Sequence, residues 1–301
     1  MKLGIIGGGG QIGQAAAYQI ALMDMVDEII VTDERENMAK SHILDLEQAK
    51  AEYSDTIVRA GQLEDMNDCG MILNTAGIPS KFGSRDNVVD GNIELVQALG
   101  AKIKSWGSNP LIISATNPAD VISYKLFEAS GLAPERCIGF SRNDTLRFKW
   151  AIEQRMGISA RKFEAHTIGE HGDFQVPLFS SAKMLDTGAP IEFTEDDKAW
   201  ILDYVYNWLA NYQSLRAPRS SPWASAVNIS RIIKLMLTES DEICSCSVVP
   251  NGEYGLSGLS IGLPIRLGKN GVREIVKLEL TDSEKEGLDK AAEKIKSLIY
   301  R

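Results

Sequence analysis

Residues 2–17, KLGIIGGGGQIGQAAA, indicate the fold class most clearly, because an apolar β-rich run is followed by a turn of glycines and then by a helical pattern. Gly7, Gly8, Gly10 and Gly13 satisfy both G-x-G-x-x-G and G-x-x-G-x-x-G. Glycines there permit a tight turn and let a pyrophosphate approach the backbone at a helix N-terminus. Because a strand and a helix flank the motif, it predicts a dinucleotide site and disfavours a merely flexible turn.

An acidic residue follows at the distance that such a site requires. Asp33 lies 20 residues beyond Gly13 and ends the strand-like run EIIVTD. A carboxylate there accepts hydrogen bonds from the ribose hydroxyls of an adenosine and repels a 2′-phosphate, which favours NAD over NADP. Arg35 keeps NADP open as an alternative, although a solvated arginine is the more ordinary interpretation.

The remainder of the first half repeats this alternation of strand and helix. Short apolar runs such as GMILNTAG and PLIISAT alternate with helical patterns, which is typical of parallel strands buried on both faces. The pattern predicts an α/β domain of Rossmann type, with a doubly wound parallel sheet, over residues 1–142.

The rhythm of the sequence changes in residues 143–301. Long helical patterns follow Thr194, with Asp197 three residues on, and Thr281, with Glu284 three residues on, and each pair predicts a capping box. Strand-like runs lie between the helical patterns. We therefore predict an α+β substrate domain that shares an interface with the first domain, a common place for a binding site.

Composition limits the classes of partner. The chain has 301 residues, 44% of them hydrophobic, and a net charge of -9, so we expect neither a nucleic-acid partner nor an anionic membrane surface. No apolar run reaches about 18 residues and the N-terminus lacks the zones of a signal peptide. We expect a cytoplasmic protein with ordinary reduced thiols, and we expect Cys244 and Cys246 to point to opposite faces of a strand.

Seven sequence segments lie in order from end to end: GGGGQIG, TAGIP, SATNPADV, DTLR, GEHGD, NGEYG and LPIRLGKNGV. Together they make the chain resemble the L-lactate and malate dehydrogenase family of NAD-dependent 2-hydroxy acid dehydrogenases. The resemblance implies hydride transfer between NAD and an L-2-hydroxy or 2-oxo acid. It also implies a homodimer or a homotetramer.

The resemblance assigns roles by position. His171 is implied as the proton donor and acceptor, Asp144 as its carboxylate partner, and Arg147 as the residue that grips the substrate carboxylate. Arg85 is implied as the mobile-loop arginine over the reacting oxygen, and Asn117 as a contact near nicotinamide and substrate. The implied cofactor contacts are Gly7, Gly8, Gly10, Gln11, Ile12, Gly13, Asp33, Thr75, Ala76, Gly77, Asn92, Ala115 and Asn117.

The chemistry of these side chains supports the same roles. Imidazole has its unperturbed pKa near working pH, as acid–base catalysis requires. A carboxylate partner such as Asp144 favours imidazolium and orients the ring. Arg147, three residues after Asp144, projects to the same face of a helix and can hold a carboxylate by two parallel hydrogen bonds. Taken alone, a turn histidine or a solvated arginine is more often structural.

The identity of the acid stays open at this stage. In the resembled family a loop glutamine accompanies pyruvate and a loop arginine accompanies oxaloacetate, whereas AGIPSKFGSR is about one residue shorter than the commonest loop. With a late gap Ser80 occupies the specificity position, and with an early gap Lys81 offers a point charge to a second carboxylate. Ser221 falls where the family has a pocket-wall residue, which leaves a bulkier monocarboxylate open, and Arg142 could place an extra cation near the site.

Two rival functions belong to other classes. An NAD-dependent glycosidase of similar fold would hold a divalent metal through cysteine and histidine near the Asn-Pro turn, but no cysteine stands beside SATNPAD, and we predict no metal site. A catalytically inactive NAD-binding protein is the other rival. The presence of His171, Asp144, Arg147 and Arg85 together argues against it.

Overall fold

The computed structural model describes residues 1–78, 85–217 and 220–300, with residues 85–87 described by their backbone. Across these ranges, no helix has the length and apolar character needed to cross a membrane.

The first half of the chain forms alternating strands and helices. Its strands are β1 (Lys2–Ile6), β2 (Glu28–Thr32), β3 (Ile57–Ala60), β4 (Met71–Asn74), β5 (Leu111–Ser114) and β6 (Cys137–Gly139). Its helices are α1 (Gln11–Leu22), α2 (Glu36–Ala49), α3 (Arg85–Trp106) and α4 (Ala119–Ser130). The six strands run parallel in the order β3-β2-β1-β4-β5-β6.

The centre of this sheet is apolar on both faces. Ile5 on β1 pairs with Val31 on β2 and with Leu73 on β4, and these side chains are 0%, 3% and 0% exposed. Burial of both faces requires helices above and below the strands. The doubly wound parallel sheet that the sequence predicts is thereby confirmed.

Within residues 142–217 and 220–300, four α-helices combine with mostly antiparallel strands. The helices are α5 (Arg142–Met156), α6 (Glu195–Ser214), α7 (Pro222–Thr238) and α8 (Asp282–Ile299). The strands are β7 (Phe163–Glu164), β8 (Thr167–Gly169), β9 (Gln175–Pro177), β10 (Lys183–Met184), β11 (Cys244–Val248), β12 (Ile261–Gly268) and β13 (Gly271–Ile275).

One sheet runs through both halves of the described chain. β11 pairs antiparallel with β6 through Ser247 and Gly139, and the sheet continues through β12 and β8 to β9. The His171 turn follows β8, and α4, which begins at Ala119, packs against both β6 and β11. Residues of the first half are thereby held against the loop that carries His171.

Both predicted capping boxes are confirmed. The Oγ1 of Thr194 accepts the N–H of Asp197 at 3.1 Å, and the carboxylate of Asp197 accepts the N–H of Thr194 at 3.1 Å. Thr281 and Glu284 make the same reciprocal pair at the start of α8, at 3.3 and 2.9 Å. Each box satisfies backbone donors that the helix itself leaves without partners.

The prediction that Cys244 and Cys246 point to opposite faces is wrong. Residues two apart on a strand share a face, and the two Sγ atoms lie 3.6 Å apart on β11. All four cysteines are buried free thiols.

Candidate active site

The glycine turn joins β1 to α1 and leaves no room for side chains. Gly7 has a φ of 81°, which favours glycine, and a Cβ there would lie 2.6 Å from the backbone nitrogen of Ala76. A Cβ on Gly13 would lie 2.5 Å from the carbonyl oxygen of Gly7. Gly10 is the N-cap of α1 and makes no side-chain cap bond, so the helix N-terminus and the turn form a backbone cradle suited to a pyrophosphate.

Asp33 lies directly beside this turn. Its side chain is 6% exposed, and its Oδ2 accepts the N–H of Gly9 at 2.9 Å. Its Oδ1 accepts from the backbone N–H of Arg35 at 3.0 Å and from the guanidinium Nε of Arg35 at 3.3 Å. The carboxylate is therefore held at the edge of the cradle, and Arg35 pairs with it.

Two further predicted residues lie in the first turn of α1. Gln11 reaches across to the segment before α7, where its Oε1 accepts the N–H of Ser220 at 2.7 Å. Ile12 packs against the main apolar core. Gln11 thus connects the cradle to the second half of the chain.

The neighbouring strands end at the same edge of the sheet. Thr75 Oγ1 donates to the carbonyl oxygens of Ile6 and Gly7, at 2.8 and 3.1 Å. The predicted residues that follow β4 and β5 are Thr75, Ala76, Gly77, Ala115 and Asn117. The carboxyl ends of parallel strands are where ligands bind in such folds.

Asn92, on α3, joins these two strand ends. It is 3% exposed, its Nδ2 donates to the carbonyl of Asn117 at 2.8 Å, and its Oδ1 accepts the N–H of Ile78 at 2.7 Å. Both halves of the amide are therefore engaged with backbone. A direct contact between Asn92 and the cofactor stays a prediction.

His171 lies in the turn between β8 and β9, and the structure brings it together with Asp144 and Arg147. Its Nδ1 is 2.6 Å from Oδ2 of Asp144, and Oδ1 of Asp144 accepts from Nη1 of Arg147 at 3.0 Å. The side chains of His171, Asp144 and Arg147 are 19%, 6% and 15% exposed. One carboxylate thus bridges an imidazole and a guanidinium at the start of α5.

The charges around His171 favour its protonated form. Burial lowers the pKa of His171, but the charge and hydrogen bond of Asp144, together with the charge of Asp120, outweigh burial and raise this pKa above its ordinary value. Arg147 acts in the opposite direction. Imidazolium therefore persists further toward neutral pH and is lost as the pH rises through the raised pKa. Within the described ranges, Nε2 of His171 has no hydrogen-bond partner.

The cluster makes two further contacts that the sequence does not predict. The guanidinium of Arg147 lies 4.2 Å from the ring centroid of Trp208 on α6, and the carboxylate of Asp120 accepts the backbone N–H of His171 at 2.7 Å. The signal for Asp120 is an acidic residue in the first turn of α4, directly after the Asn117-Pro118 turn. The signal for Trp208 is that every fourth residue along this part of α6 is aromatic: Trp200, Tyr204, Trp208 and Tyr212.

The structure describes the remaining predicted substrate-site residues only in part. Ser80 and Lys81 lie outside the described residues, and Arg85 begins α3 with only its backbone described. Ser221 is the N-cap of α7, and its carbonyl accepts from the hydroxyl of Ser225 at 3.0 Å.

The expectation that Arg142 adds a cation at the site is not met by its contacts. Its Nη2 lies 3.4 Å from Glu242, which also pairs with Arg231. Arg142 therefore belongs to an ion cluster beside β11.

Two family models together match almost the whole chain. The NAD binding domain of lactate/malate dehydrogenase matches residues 1–139, and the alpha/beta C-terminal domain of lactate/malate dehydrogenase matches residues 142–301. The chain belongs to the lactate/malate dehydrogenase family. Among its relatives, the malate dehydrogenase of Natronomonas pharaonis is 33% identical over 98% of this chain and 97% of its own length. The L-lactate dehydrogenase of Halalkalibacterium halodurans is 30% identical over 98% and 95%.

Solved dehydrogenases share the fold of this family member. The malate dehydrogenase from Aeropyrum pernix has a TM-score of 0.91 at 27% identity, with 99% of this chain and 97% of that chain covered. The minor L-lactate dehydrogenase from Enterococcus mundtii has a TM-score of 0.92, also at 27% identity, with the same two coverages. The chain is thus an NAD-dependent dehydrogenase that interconverts 2-hydroxy and 2-oxo acids, which sets aside the glycosidase and the inactive NAD-binding protein.

We expect Asp33→Asn to shift cofactor preference from NADH toward NADPH. Asparagine keeps an oxygen that can accept the N–H of Gly9 but loses the charge that repels a 2′-phosphate. A hydrogen bond to a charged group is worth about 1.5–3 kcal/mol, so the ratio of kcat/KM for NADPH to that for NADH should rise roughly 10- to 100-fold. Steady-state kinetics with both cofactors measures this ratio. Glu34→Gln, which removes an exposed charge at the next position, is the matched control, and an unchanged ratio in Asp33→Asn would place cofactor selection elsewhere.

Proposed function

We propose that His171 moves the substrate proton, that Asp144 keeps its imidazole protonated and oriented, and that Arg147 binds the carboxylate of the acid. The observation that carries this proposal is the continuous contact from Nδ1 of His171, through the Asp144 carboxylate, to Nη1 of Arg147. Reduction of a 2-oxo acid needs a proton at its oxygen, and a nearby group of suitable pKa must supply it.

The orientation of His171 suits this task. Because Nδ1 is engaged with Asp144, Nε2 is the nitrogen left for the substrate. In reduction the imidazolium donates its Nε2 proton to the oxo oxygen, and in oxidation the neutral imidazole accepts the hydroxyl proton. Since the pKa of His171 is raised, reduction is maintained toward neutral pH, whereas oxidation gains as the pH rises through that pKa.

Arg147 is held in a way that leaves further N–H groups for an anion. Its Nη1 faces Asp144 and its planar face lies against Trp208. A guanidinium carries five N–H donors, and two parallel ones match the two oxygens of a carboxylate. The cation–π contact restrains the guanidinium without consuming those donors.

The cofactor cradle fits NAD, which supplies or accepts the hydride when bound. The turn excludes side chains at Gly7 and Gly13, as a close backbone approach to pyrophosphate requires. A carboxylate at the end of β2 suits the adenosine ribose. The residues that we propose to hold NAD are Gly7, Gly8, Gly10, Gln11, Ile12, Gly13, Asp33, Thr75, Ala76, Gly77, Asn92, Ala115 and Asn117.

We propose malate and oxaloacetate as the substrate pair. The malate dehydrogenases of Natronomonas pharaonis and Halobacterium salinarum are 33% and 30% identical to this chain, and Lys81 offers a cation for a second carboxylate. Arg85 is proposed to polarise the oxo oxygen. A lactate-type reaction or a bulkier 2-hydroxy monocarboxylate remains the alternative, with Ser80 and Ser221 at the pocket wall.

We expect Lys81→Ala to lower kcat/KM for oxaloacetate roughly 10- to 100-fold, since one charge-assisted contact contributes about 1.5–3 kcal/mol. Activity with pyruvate should stay unchanged, because that acid has no second carboxylate. NADH oxidation is followed with oxaloacetate, pyruvate, 2-oxoisocaproate and phenylpyruvate. The control is Lys102→Ala, which removes a lysine of α3 that pairs with Glu64. Unchanged oxaloacetate turnover in Lys81→Ala would mean that Lys81 does not bind the second carboxylate of the substrate.

We also propose that the domains divide at residue 142 and that the protein is a cytoplasmic homodimer or homotetramer. The two family models, ending at residue 139 and beginning at residue 142, support the division. A cleft of about 790 Å³ between α1, α2 and the start of α7 adjoins the cofactor cradle at Gly8 and Gln11, and its outer part supports assembly. Tyr18 and Trp223 line this cleft and are 46% and 69% exposed, and large exposed apolar patches mark interfaces. The four free thiols suit a reducing compartment.

A further inference from the structure

A second carboxylate is buried directly behind His171. Asp120, in the first turn of α4, is 2% exposed. Its Oδ2 accepts the backbone N–H of His171 at 2.7 Å, and its Oδ1 accepts the hydroxyl of Ser247 at 2.5 Å. Ser247 in turn lies 2.9 Å from the hydroxyl of Ser260. Asp120 therefore connects α4 and β11 to the turn that carries the imidazole.

Neither contact serves the helix in which Asp120 lies. An aspartate in a first turn often stabilises its own helix by accepting a backbone N–H or by facing the helix dipole. Here both oxygens have partners on other elements, separated by 51 and 127 residues in sequence. A buried carboxylate is costly unless hydrogen-bonded, and an amide would meet the same geometric need without a charge. The two hydrogen bonds therefore do not account for the negative charge of Asp120.

The charged groups that face His171 come from three directions. Asp144 and Arg147 approach from α5, Asp120 approaches from α4, and Glu170 precedes His171 on its own segment. Burial raises the pKa of Asp120 to about 6, while the Ser247 hydroxyl and the N–H of His171 oppose that rise. At neutral pH Asp120 is therefore ionised and adds a negative charge beside the imidazole.

We propose that Asp120 is a positioning residue for the reaction: one oxygen fixes the backbone at His171, and its negative charge, with that of Asp144, favours the imidazolium. This inference rests on the proposed role of His171 as proton donor. Asp120 acts through His171 and does not touch the substrate. It extends the cluster of His171, Asp144 and Arg147 from the second half of the chain into the first, because α4 belongs to the parallel-sheet half.

Asp120→Asn separates the two contributions. The amide oxygen can still accept the N–H of His171, and the amide nitrogen can donate to the Ser247 hydroxyl, so the contacts are retained while the charge is lost. The pH profile of kcat/KM for 2-oxo acid reduction should move toward acid by about one pH unit. At a pH above the pKa that the profile reports, kcat/KM for reduction should be roughly tenfold lower in Asp120→Asn than in the parent. Asp173→Asn, which removes an exposed charge two residues after His171, should leave the profile in place.

A second variant keeps the test decisive if Asp120→Asn folds poorly. Ser247→Ala removes one donor to the carboxylate, which raises the pKa of Asp120 and reduces its charge near neutral pH. It should move the profile in the same direction by a smaller amount. Thermal unfolding and the dissociation constant of NADH, measured for each variant, separate a shift of the profile from damage to the fold.

The outcomes distinguish this inference from the proposed function. A profile that moves with Asp144→Asn but stays in place with both Asp120→Asn and Ser247→Ala would overturn the inference and leave the role of His171 intact. If kcat/KM for 2-oxo acid reduction by the wild-type enzyme did not require a protonated group, the proposed function itself would be overturned.

Discussion

Replacing His171 with asparagine is expected to lower the turnover number of 2-oxo acid reduction by roughly 10²- to 10⁴-fold, the range that general acid–base catalysis contributes. Asparagine can keep a hydrogen bond to Asp144, which lies 2.6 Å from the imidazole in the native chain, but it cannot exchange a proton at working pH. Steady-state oxidation of NADH with a saturating 2-oxo acid measures the loss. The dissociation constant of NADH should change little, because the cofactor cradle that we propose lies around Gly7 and Asp33.

His42 provides the matched control for this experiment. His42 lies on α2, outside the cluster of Asp144 and Arg147. His42→Asn makes the same chemical change and should retain the parent turnover number. Equal turnover in His171→Asn and His42→Asn would remove His171 from the mechanism.

Arg147→Lys is expected to raise the KM for the 2-oxo acid roughly 10- to 100-fold. Lysine keeps the positive charge but cannot present two parallel donors to a carboxylate, so about 1.5–3 kcal/mol of charge-assisted hydrogen bonding is lost. It also loses the planar contact with Trp208, 4.2 Å from the guanidinium. The KM for NADH should stay close to that of the parent, since Arg147 is remote from the glycine turn in the proposed assignment.

Arg155 is a suitable comparison on the same helix. It pairs with Asp196 and Asp197 at the start of α6, and its Nε lies 2.7 Å from Asp197. Arg155→Lys makes the same substitution away from the cluster and should leave the KM of the acid unchanged. A normal KM for the acid in Arg147→Lys would show that the carboxylate binds elsewhere.

Local features of the fold could be predicted because their physical causes are local. The glycine turn depends on residues 7–13 and on the strand and helix beside them. The capping boxes at Thr194 and Thr281 each depend on a pair three residues apart. The placement of Asp144 and Arg147 on one helix face follows from helical periodicity. The structure adds a direct contact, with Oδ1 of Asp144 3.0 Å from Nη1 of Arg147.

Long-range contacts could not be predicted in the same way. The contact between Asp120 and His171 spans 51 residues and depends on how α4 packs against β6 and β11. The continuation of one sheet through β6 and β11 depends on a single pairing, Ser247 with Gly139. A local pattern can single out Asp120 as an acidic residue in a first helical turn, but the residues next to it in sequence do not indicate its partner. Ser80 and Lys81 stay a sequence-based hypothesis about the acid.

The acid–base role of His171 can be measured through the pH dependence with which oxamate, an unreactive analogue of a 2-oxo acid, binds to the complex of the enzyme with NADH. If protonated His171 holds the oxo oxygen, the dissociation constant of oxamate is constant below the raised pKa of His171 and increases roughly tenfold for each pH unit above it. In His171→Asn the binding should be weaker and independent of pH over the same range. A pH-independent dissociation constant in the parent, or the same pH dependence in parent and variant, would mean that protonated His171 does not hold the oxo oxygen.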